Sequence, residues 1–345
     1  MFTFHRVAGI ASAAVFCAAL SAPARAADLS QCAAIDQDME RLACYDRASG
    51  RPLPEAGAGA PAEPMVRPAP EPGGGGLALT PMQKAWDLGD DPSPNFEVRP
   101  HHAVYLLPVF STSSVNSSPA TPTHQSVGFD GIRATEAKFQ ISFKTKVATQ
   151  LFGDNGDLWL GYTQSSRWQM YSDDVSRPFR ETNYEPEAIF TWKTKLNLAG
   201  IDLRYVGLGF NHQSNGRGSD LSRSWNRVIA QAGFEWGDWA ATVRGWHRVR
   251  EGGSDDDNPD ITKYLGRGEL ELARKMGDHL LVAQARYPAI GSSDGKGSLR
   301  LDWAFPISRN LRGHLQWFSG YGESLIDYNH KANYIGLGVS LVEPF

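Results

Sequence analysis

The chain has 345 residues, 41% of them hydrophobic and 21% charged, with 34 Lys and Arg against 38 Asp and Glu and a formal net charge of -4. This balance provides no broad cationic surface, so nucleic acid is not expected as a partner. Beyond the N-terminus no apolar run approaches the roughly 18–20 residues of a spanning helix, which excludes a helical membrane bundle but leaves open a β-barrel, whose apolar residues are hidden by alternation.

Residues 1–26 read as a signal peptide: His5 and Arg6 precede an apolar stretch over 7–20, and Ala24-Arg25-Ala26 is an A-x-A cleavage site. Removal would take Cys17 with it and leave Cys32 and Cys44, an even pair in an oxidising compartment, which predicts a disulfide. Residues 27–50 are therefore expected to form a short disulfide-stapled segment.

 Residues 51–80 are Pro, Ala and Gly with Glu, including four consecutive glycines ending at Gly76, a composition that cannot order itself and reads as a disordered linker. Residues 81–345 are the expected folded domain.

Within that domain the apolar residues recur with period two. Phe139, Ile141 and Phe143 alternate with Lys138, Gln140, Ser142 and Lys144. Leu158, Leu160 and Tyr162 alternate with Asp157, Trp159 and Gly161, and Ile335, Leu337, Val339 and Leu341 share one face near the C-terminus. Twelve such strands are predicted, near 99–110, 133–149, 157–170, 183–196, 201–214, 225–235, 238–250, 262–274, 278–288, 296–306, 310–320 and 332–345. Their connections alternate in length: long and polar at 111–133, 172–182 and 251–261, tight at 153–156, 197–200, 237–238 and 277–278. Short turns at one end and long loops at the other predict an all-β, twelve-stranded antiparallel transmembrane barrel of the outer-membrane type, and a terminal aromatic, Phe345, directly after a strand fits it. A soluble sandwich shares the alternation but has no reason to segregate its long loops.

A barrel can be a pore, an anchor or an enzyme, so function must come from particular side chains. In the segment 206–226, Val206, Leu208, Phe210, His212 and Ser214 share one parity, so His212 and Ser214 extend an apolar, lipid-facing row. Residues two apart on a strand project from the same face about 6–7 Å apart, which lets His212 act as base to Ser214. Asn226 shares parity with Val228, Ala230 and Ala232 on the next strand and can sit across the ladder from His212, fixing its tautomer. Gly216 and Gly218 loosen the loop that follows, so the N–H groups of Ser214 and Gly216 are candidates for an oxyanion hole. Any one of these polar residues alone would read as decoration of the membrane surface; three on one outward face, at the reach of a triad, point to a nucleophile whose substrate is lipid.

These residues lie in FNHQSNGRGSDLSRSWNR at 210–227, which together with YTQSSRWQM at 162–170 and PFRETNYEP at 178–186 closely resembles the outer membrane phospholipase A family of Gram-negative bacteria, over most of 98–345. The resemblance implies that His212 is the general base, Ser214 the nucleophile and Asn226 the orienting residue of a Ser-His-Asn triad. It also implies calcium, held by the Arg217 carbonyl and Ser222 of one subunit and by Ser176 of the partner subunit, in an enzyme active as a homodimer. The expected substrates are phospholipids and lysophospholipids of the outer leaflet, cleaved at sn-1 and sn-2 esters, with the active site facing the cell exterior. Gln164 falls in the outward row Leu158, Leu160, Tyr162, where a lipid-facing amide would be unsatisfied, and the resemblance makes it a dimer-interface residue.

Three other features are set aside on sequence grounds. Gly291-Ser292-Ser293-Asp294-Gly295 matches G-x-S-x-G but lies in a polar loop without the required strand, turn and helix. Asp255-Asp256-Asp257 lacks the spacing of a calcium loop and reads as a solvated acidic loop. His101-His102 has no acidic or Cys neighbour in sequence to make a metal site. The competing class is a non-enzymatic pore or anchor, since the inward set, including Asp157, Arg167, Gln169, Lys138, Gln140 and Lys144, is polar and charged.

Overall fold

A computed structural model of the chain describes residues 30–50, 79–129, 131–173, 178–252, 256–287, 296–308 and 311–342. The expected signal peptide, most of the linker, Ser176, Asp255, the 291–295 loop and Phe345 lie outside the described residues. The chain divides into two compact units between Gly76 and Leu77. In the first, helices α1 (Ser30–Ala33) and α2 (Asp38–Ala48) are joined by the Cys32–Cys44 disulfide, with Cα atoms 5.5 Å apart. Neither helix is long enough to persist alone, and closing a loop of this size removes about 3 kcal/mol of unfolded-state freedom.

The second unit opens with α3 (Pro81–Ala85), followed by β1 (Val98–Pro100), β2 (Val104–Thr112), β3 (Thr135–Ala148), β4 (Asp157–Trp168), β5 (Phe179–Leu198), β6 (Ile201–Ser214), β7 (Ser224–Trp236), β8 (Trp239–Val249), α4 (Ile261–Leu265), β9 (Gly268–Met276), β10 (His279–Tyr287), β11 (Ser298–Ser308), β12 (Leu311–Tyr321) and β13 (Lys331–Val342). Each strand from β2 to β13 pairs antiparallel with the next, and β13 pairs with β2, so twelve strands close the barrel. The tight connections lie at one end. Two-residue hairpins at Ala199-Gly200, Gly237-Asp238 and Gly277-Asp278 carry the positive φ that such turns demand.

Two predicted strands differ. The first is broken: β1 and β2 both pair with β3, and the chain leaves the ladder at His101 and His102 between them. The eighth is shortened at its start, because 261–265 forms a helical turn with Ile261 and Leu265 four apart and buried together; β9 begins only at Gly268. The linker also ends slightly early. Thr80 caps α3, accepting the Gln83 N–H while its own N–H reaches the Gln83 side chain, and it bonds Glu235 of β7.

The outer face carries exposed apolar residues such as Ile141, Leu160, Leu208 and Leu337, whereas the inner face is charged and packed. Across the interior, Arg167 binds Glu323 at 2.7 Å, Lys138 binds the same carboxylate at 2.9 Å, and Arg180 bridges Glu136 and Asp327. The lumen is occupied at both ends. At the short-turn end, Met82 and Trp86 pack among Trp159, Ile189, Tyr205 and Leu280. At the other, the connection between β12 and β13 buries Leu325, Ile326 and Tyr328, and its Leu325 and Ile326 N–H groups donate to Asn183 and Glu181 of β5. In the order of strands β5 lies well round the wall from β12 and β13, so that connection reaches it through the lumen. These features occupy both ends of the charged interior, and a cavity lined by Lys138, Gln140, Arg167, Glu185 and Arg300 remains within it.

Burial pushes the Glu323 carboxyl up, but Arg167 and Lys138 more than offset it and hold it at about 2. Because its folded value lies below its unfolded one, the stability it contributes is present above the ordinary carboxylate range and is lost as pH falls through that range toward 2. Arg167→Ala, which strands the buried carboxylate, is expected to destabilise the barrel by about 3–5 kcal/mol, read as a lower midpoint in denaturant unfolding from micelles. An unchanged midpoint would count against this pairing as a stabilising contact.

Candidate active site

The outward parity of β6 places His212 and Ser214 at the long-loop end, following exposed Val206, Leu208 and Phe210. The β6–β7 register sets His212 directly opposite Asn226 and Ser214 opposite Ser224. The His212 Nδ1 atom lies 2.8 Å from Asn226 Oδ1. An amide oxygen only accepts, so Nδ1 donates, and Nε2 is left as the basic nitrogen. The Asn226 Nδ2 group in turn donates to Glu251 Oε1 at 2.8 Å.

The strands carrying these outward groups are locked from inside. Inward Arg227 donates to Asn211 at 3.0 Å and to Glu185 at 2.6 Å, while its guanidinium lies 4.1 Å over the Trp225 ring. Inward Gln213, between His212 and Ser214, accepts from Trp225 Nε1 at 2.8 Å and donates to Glu185 at 3.2 Å. A slip of one residue would exchange the two faces, so this interior network holds the register on which the site depends.

The loop after Ser214 is pinned by Asn215, which is almost wholly buried. Its Oδ1 accepts the N–H groups of Arg217 and Arg223 at 3.3 and 3.0 Å, its Nδ2 donates to the Leu221 carbonyl at 2.8 Å, and its own N–H donates to the Arg223 carbonyl at 3.0 Å. Nothing in the local sequence singled it out. Gly216 has φ +63°, and a Cβ there would stand 3.1 Å from the Tyr184 ring, so both backbone and packing favour glycine.

Ser222 Oγ donates to Asp257 Oδ2 at 2.7 Å, and Asp257 Oδ1 lies 3.0 Å from His124 Nε2. The acidic run is therefore not simply solvated: Asp257 folds against Ser222 and Asp256 binds Arg248 at 2.6 Å. Gln164 also differs from expectation. It faces outward, but Tyr162 donates to its Oε1 at 3.1 Å and its Nε2 reaches Ser166 Oγ at 3.5 Å, so part of its hydrogen-bonding capacity is met within the subunit.

The reading of His101-His102 is corrected as well, because the fold supplies the acidic neighbour that the sequence lacks. His101 Nε2 stands 2.6 Å from Glu187 Oε2, and ligand atoms of His101, His102 and Glu187 lie within 4.8 Å of one another. Glu187 is already engaged by Arg244, which lines the same cavity, so the arrangement works as an ion-pair network in which a guanidinium already holds the carboxylate that a cation would need.

A phospholipase A1 family profile matches residues 82–341. A putative phospholipase A1 of Neisseria meningitidis serogroup B is 39% identical over 344 residues, covering 90% of this chain and 89% of the relative. The phospholipase A1 of Escherichia coli K12 is 39% identical over 250 residues, covering 72% and 83%. Among solved structures, the calcium-bound outer membrane phospholipase dimer of Salmonella typhi superposes with a TM-score of 0.66 at 34% identity, covering 76% of this chain and 98% of that one. The Escherichia coli outer membrane phospholipase A gives 0.64 at 37% identity, covering 72% and 100%.

Asn215→Ala is expected to leave the barrel folded, judged by heat-resistant electrophoretic mobility, while speeding hydrogen exchange at the Arg217 and Arg223 amides at least tenfold. Unchanged protection there would show that the loop is held by other contacts. With its strand register, closed twelve-stranded wall and close relatives taken together, the chain belongs to the outer membrane phospholipase A family.

Proposed function

We propose that this phospholipase is a calcium-dependent enzyme of the outer membrane, active as a homodimer, with its active site facing the cell exterior and a Ser214-His212-Asn226 triad. The observation that carries the reading is the outward His212–Asn226 hydrogen bond beside Ser214, on a face that otherwise meets lipid. Its substrates are phospholipids and lysophospholipids in the outer leaflet, cleaved at sn-1 and sn-2 esters, and their removal maintains membrane asymmetry.

In this mechanism His212 Nε2 takes the Ser214 hydroxyl proton as Oγ bonds to the acyl carbonyl carbon. The carbonyl oxygen becomes an oxyanion facing the Ser214 and Gly216 N–H groups. Collapse breaks the ester bond, and His212 passes its proton to the departing glycerol oxygen. Water then repeats the sequence on the acyl-serine, releasing fatty acid and restoring Ser214. Asn226 holds the imidazole tautomer throughout and gains no proton.

The Arg217 carbonyl, Ser222 and Ser176 of the partner subunit would hold calcium. The donors are oxygen atoms suited to a hard cation, and the Asp257 carboxylate beside Ser222 adds negative charge to a set otherwise poor in it. When bound, the cation supplies electrostatic stabilisation to the oxyanion region. Gln164 contributes its remaining hydrogen-bonding capacity to the subunit interface, and assembly of the dimer acts as the switch because the cation site is completed only there.

Fatty-acid release from phospholipid in mixed micelles, with calcium or chelator, tests the reading. Ser214→Ala is expected to lose at least about a thousandfold in turnover, His212→Ala to lose turnover while keeping heat-resistant mobility, and chelation to silence the wild type. Equal hydrolysis by wild type and Ser214→Ala overturns the triad, and ion conductance without hydrolysis favours a pore.

A further inference from the structure

The β7–β8 register sets Asn226 opposite Val249, and Glu251 lies two residues beyond, continuing the outward row of β8 past the end of the strand. Three adjacent strands thus bring Ser214 and His212, then Asn226, then Glu251 to one end of the same outer face. The contacts run in a line: His212 Nδ1 to Asn226 Oδ1 at 2.8 Å, and Asn226 Nδ2 to Glu251 Oε1 at 2.8 Å.

An asparagine is an ambiguous partner for a histidine. Rotating its amide by half a turn replaces the oxygen acceptor with an NH2 donor, which favours the opposite imidazole tautomer and turns a protonated Nε2 toward the nucleophile. An ionised carboxylate can only accept. Placed on the far side of the amide, it binds the NH2 group and leaves the oxygen for His212. It also draws the N–H protons and so increases the negative charge on the amide oxygen, bringing a neutral residue closer to the aspartate of other hydrolytic triads.

We propose that Glu251 is a positioning residue that fixes and polarises Asn226, extending the triad to a Ser214-His212-Asn226-Glu251 relay. The inference rests on the triad reading of the proposed function. Glu251 is partly buried; burial raises its carboxyl, and Asp256 and Asp257 raise it further, while Arg248 and the Asn226 hydrogen bond lower it, for a net upward displacement. The positioning effect is therefore strongest above the ordinary carboxylate range and fades as pH falls through the raised value.

The experiment measures kcat and KM in mixed micelles from pH 5 to 9 for the full chain and for Ser214→Ala, Glu251→Ala, Glu251→Gln, Asn226→Ala and the double variant Asn226→Ala with Glu251→Ala. Folding of each is checked by heat-resistant mobility. Glu251→Ala is expected to lose about tenfold in kcat with KM little changed. Glu251→Gln retains an acceptor oxygen but no charge, so it loses less, and the acid limb of its profile moves to lower pH because the imidazolium form has lost a nearby anion. In the Asn226→Ala background, removing Glu251 should cost nothing more, since the residue through which it acts is gone. If Ser214→Ala is inactive while Glu251→Ala stays within twofold of wild type with an unchanged acid limb, the inference is overturned and the triad stands. Full additivity of the two substitutions overturns it as well. If Ser214→Ala remains active, the triad reading fails first and the relay with it. Should Glu251→Ala not fold, the profile and kcat of Glu251→Gln decide the question alone.

Discussion

Each strand of a closed antiparallel barrel must serve two surroundings, with successive side chains meeting lipid and a packed interior in turn. In β6 and β7 this makes the two faces mutually dependent. The outer row supplies His212, Ser214 and Asn226, and the inner row supplies Asn211, Gln213, Trp225 and Arg227, whose hydrogen bonds to one another and to Glu185 hold the strands in register. Side-chain geometry on a membrane-facing surface cannot be shaped by a surrounding pocket of protein, because much of its surroundings is fluid. The rigidity has to come through the wall, from the charged residues behind it.

The loops complete what the strands begin. Asn215 gathers the turn after Ser214 through four hydrogen bonds, and Asp257 crosses from the following loop to reach Ser222. Both contacts satisfy polar groups that the end of a barrel would otherwise leave to water, and both fix backbone close to Ser214. The oxygen-rich set near Ser222 and the oxyanion candidates near Gly216 are therefore parts of one pinned segment.

Much of this was legible in the sequence because period-two alternation is a local property. It located the strands, separated the long loops from the tight turns, and put His212, Ser214 and Asn226 on one face. What it missed depended on distant partners or on a change of period. Glu187, 86 residues from His101, supplies the acidic neighbour of the His101-His102 pair. Asp257 reads as a solvated acid until the loop brings it to Ser222. The spacing of Ile261 and Leu265 is helical, but between two strong strand patterns it was absorbed into a longer strand. Glu251 becomes visible only once the β7–β8 register is known, since nothing in its local sequence names Asn226 as its partner.

The two occupied ends of the lumen have a consequence for the membrane as a whole. A twelve-stranded wall lined with Arg, Lys, Asp and Glu would offer ions a polar path across the membrane if it were empty. Met82 and Trp86 at one end, with Leu325, Ile326 and Tyr328 at the other, place apolar side chains across that path. The interior is thereby given over to packing, which leaves the outer face of the wall as the side that lipid meets.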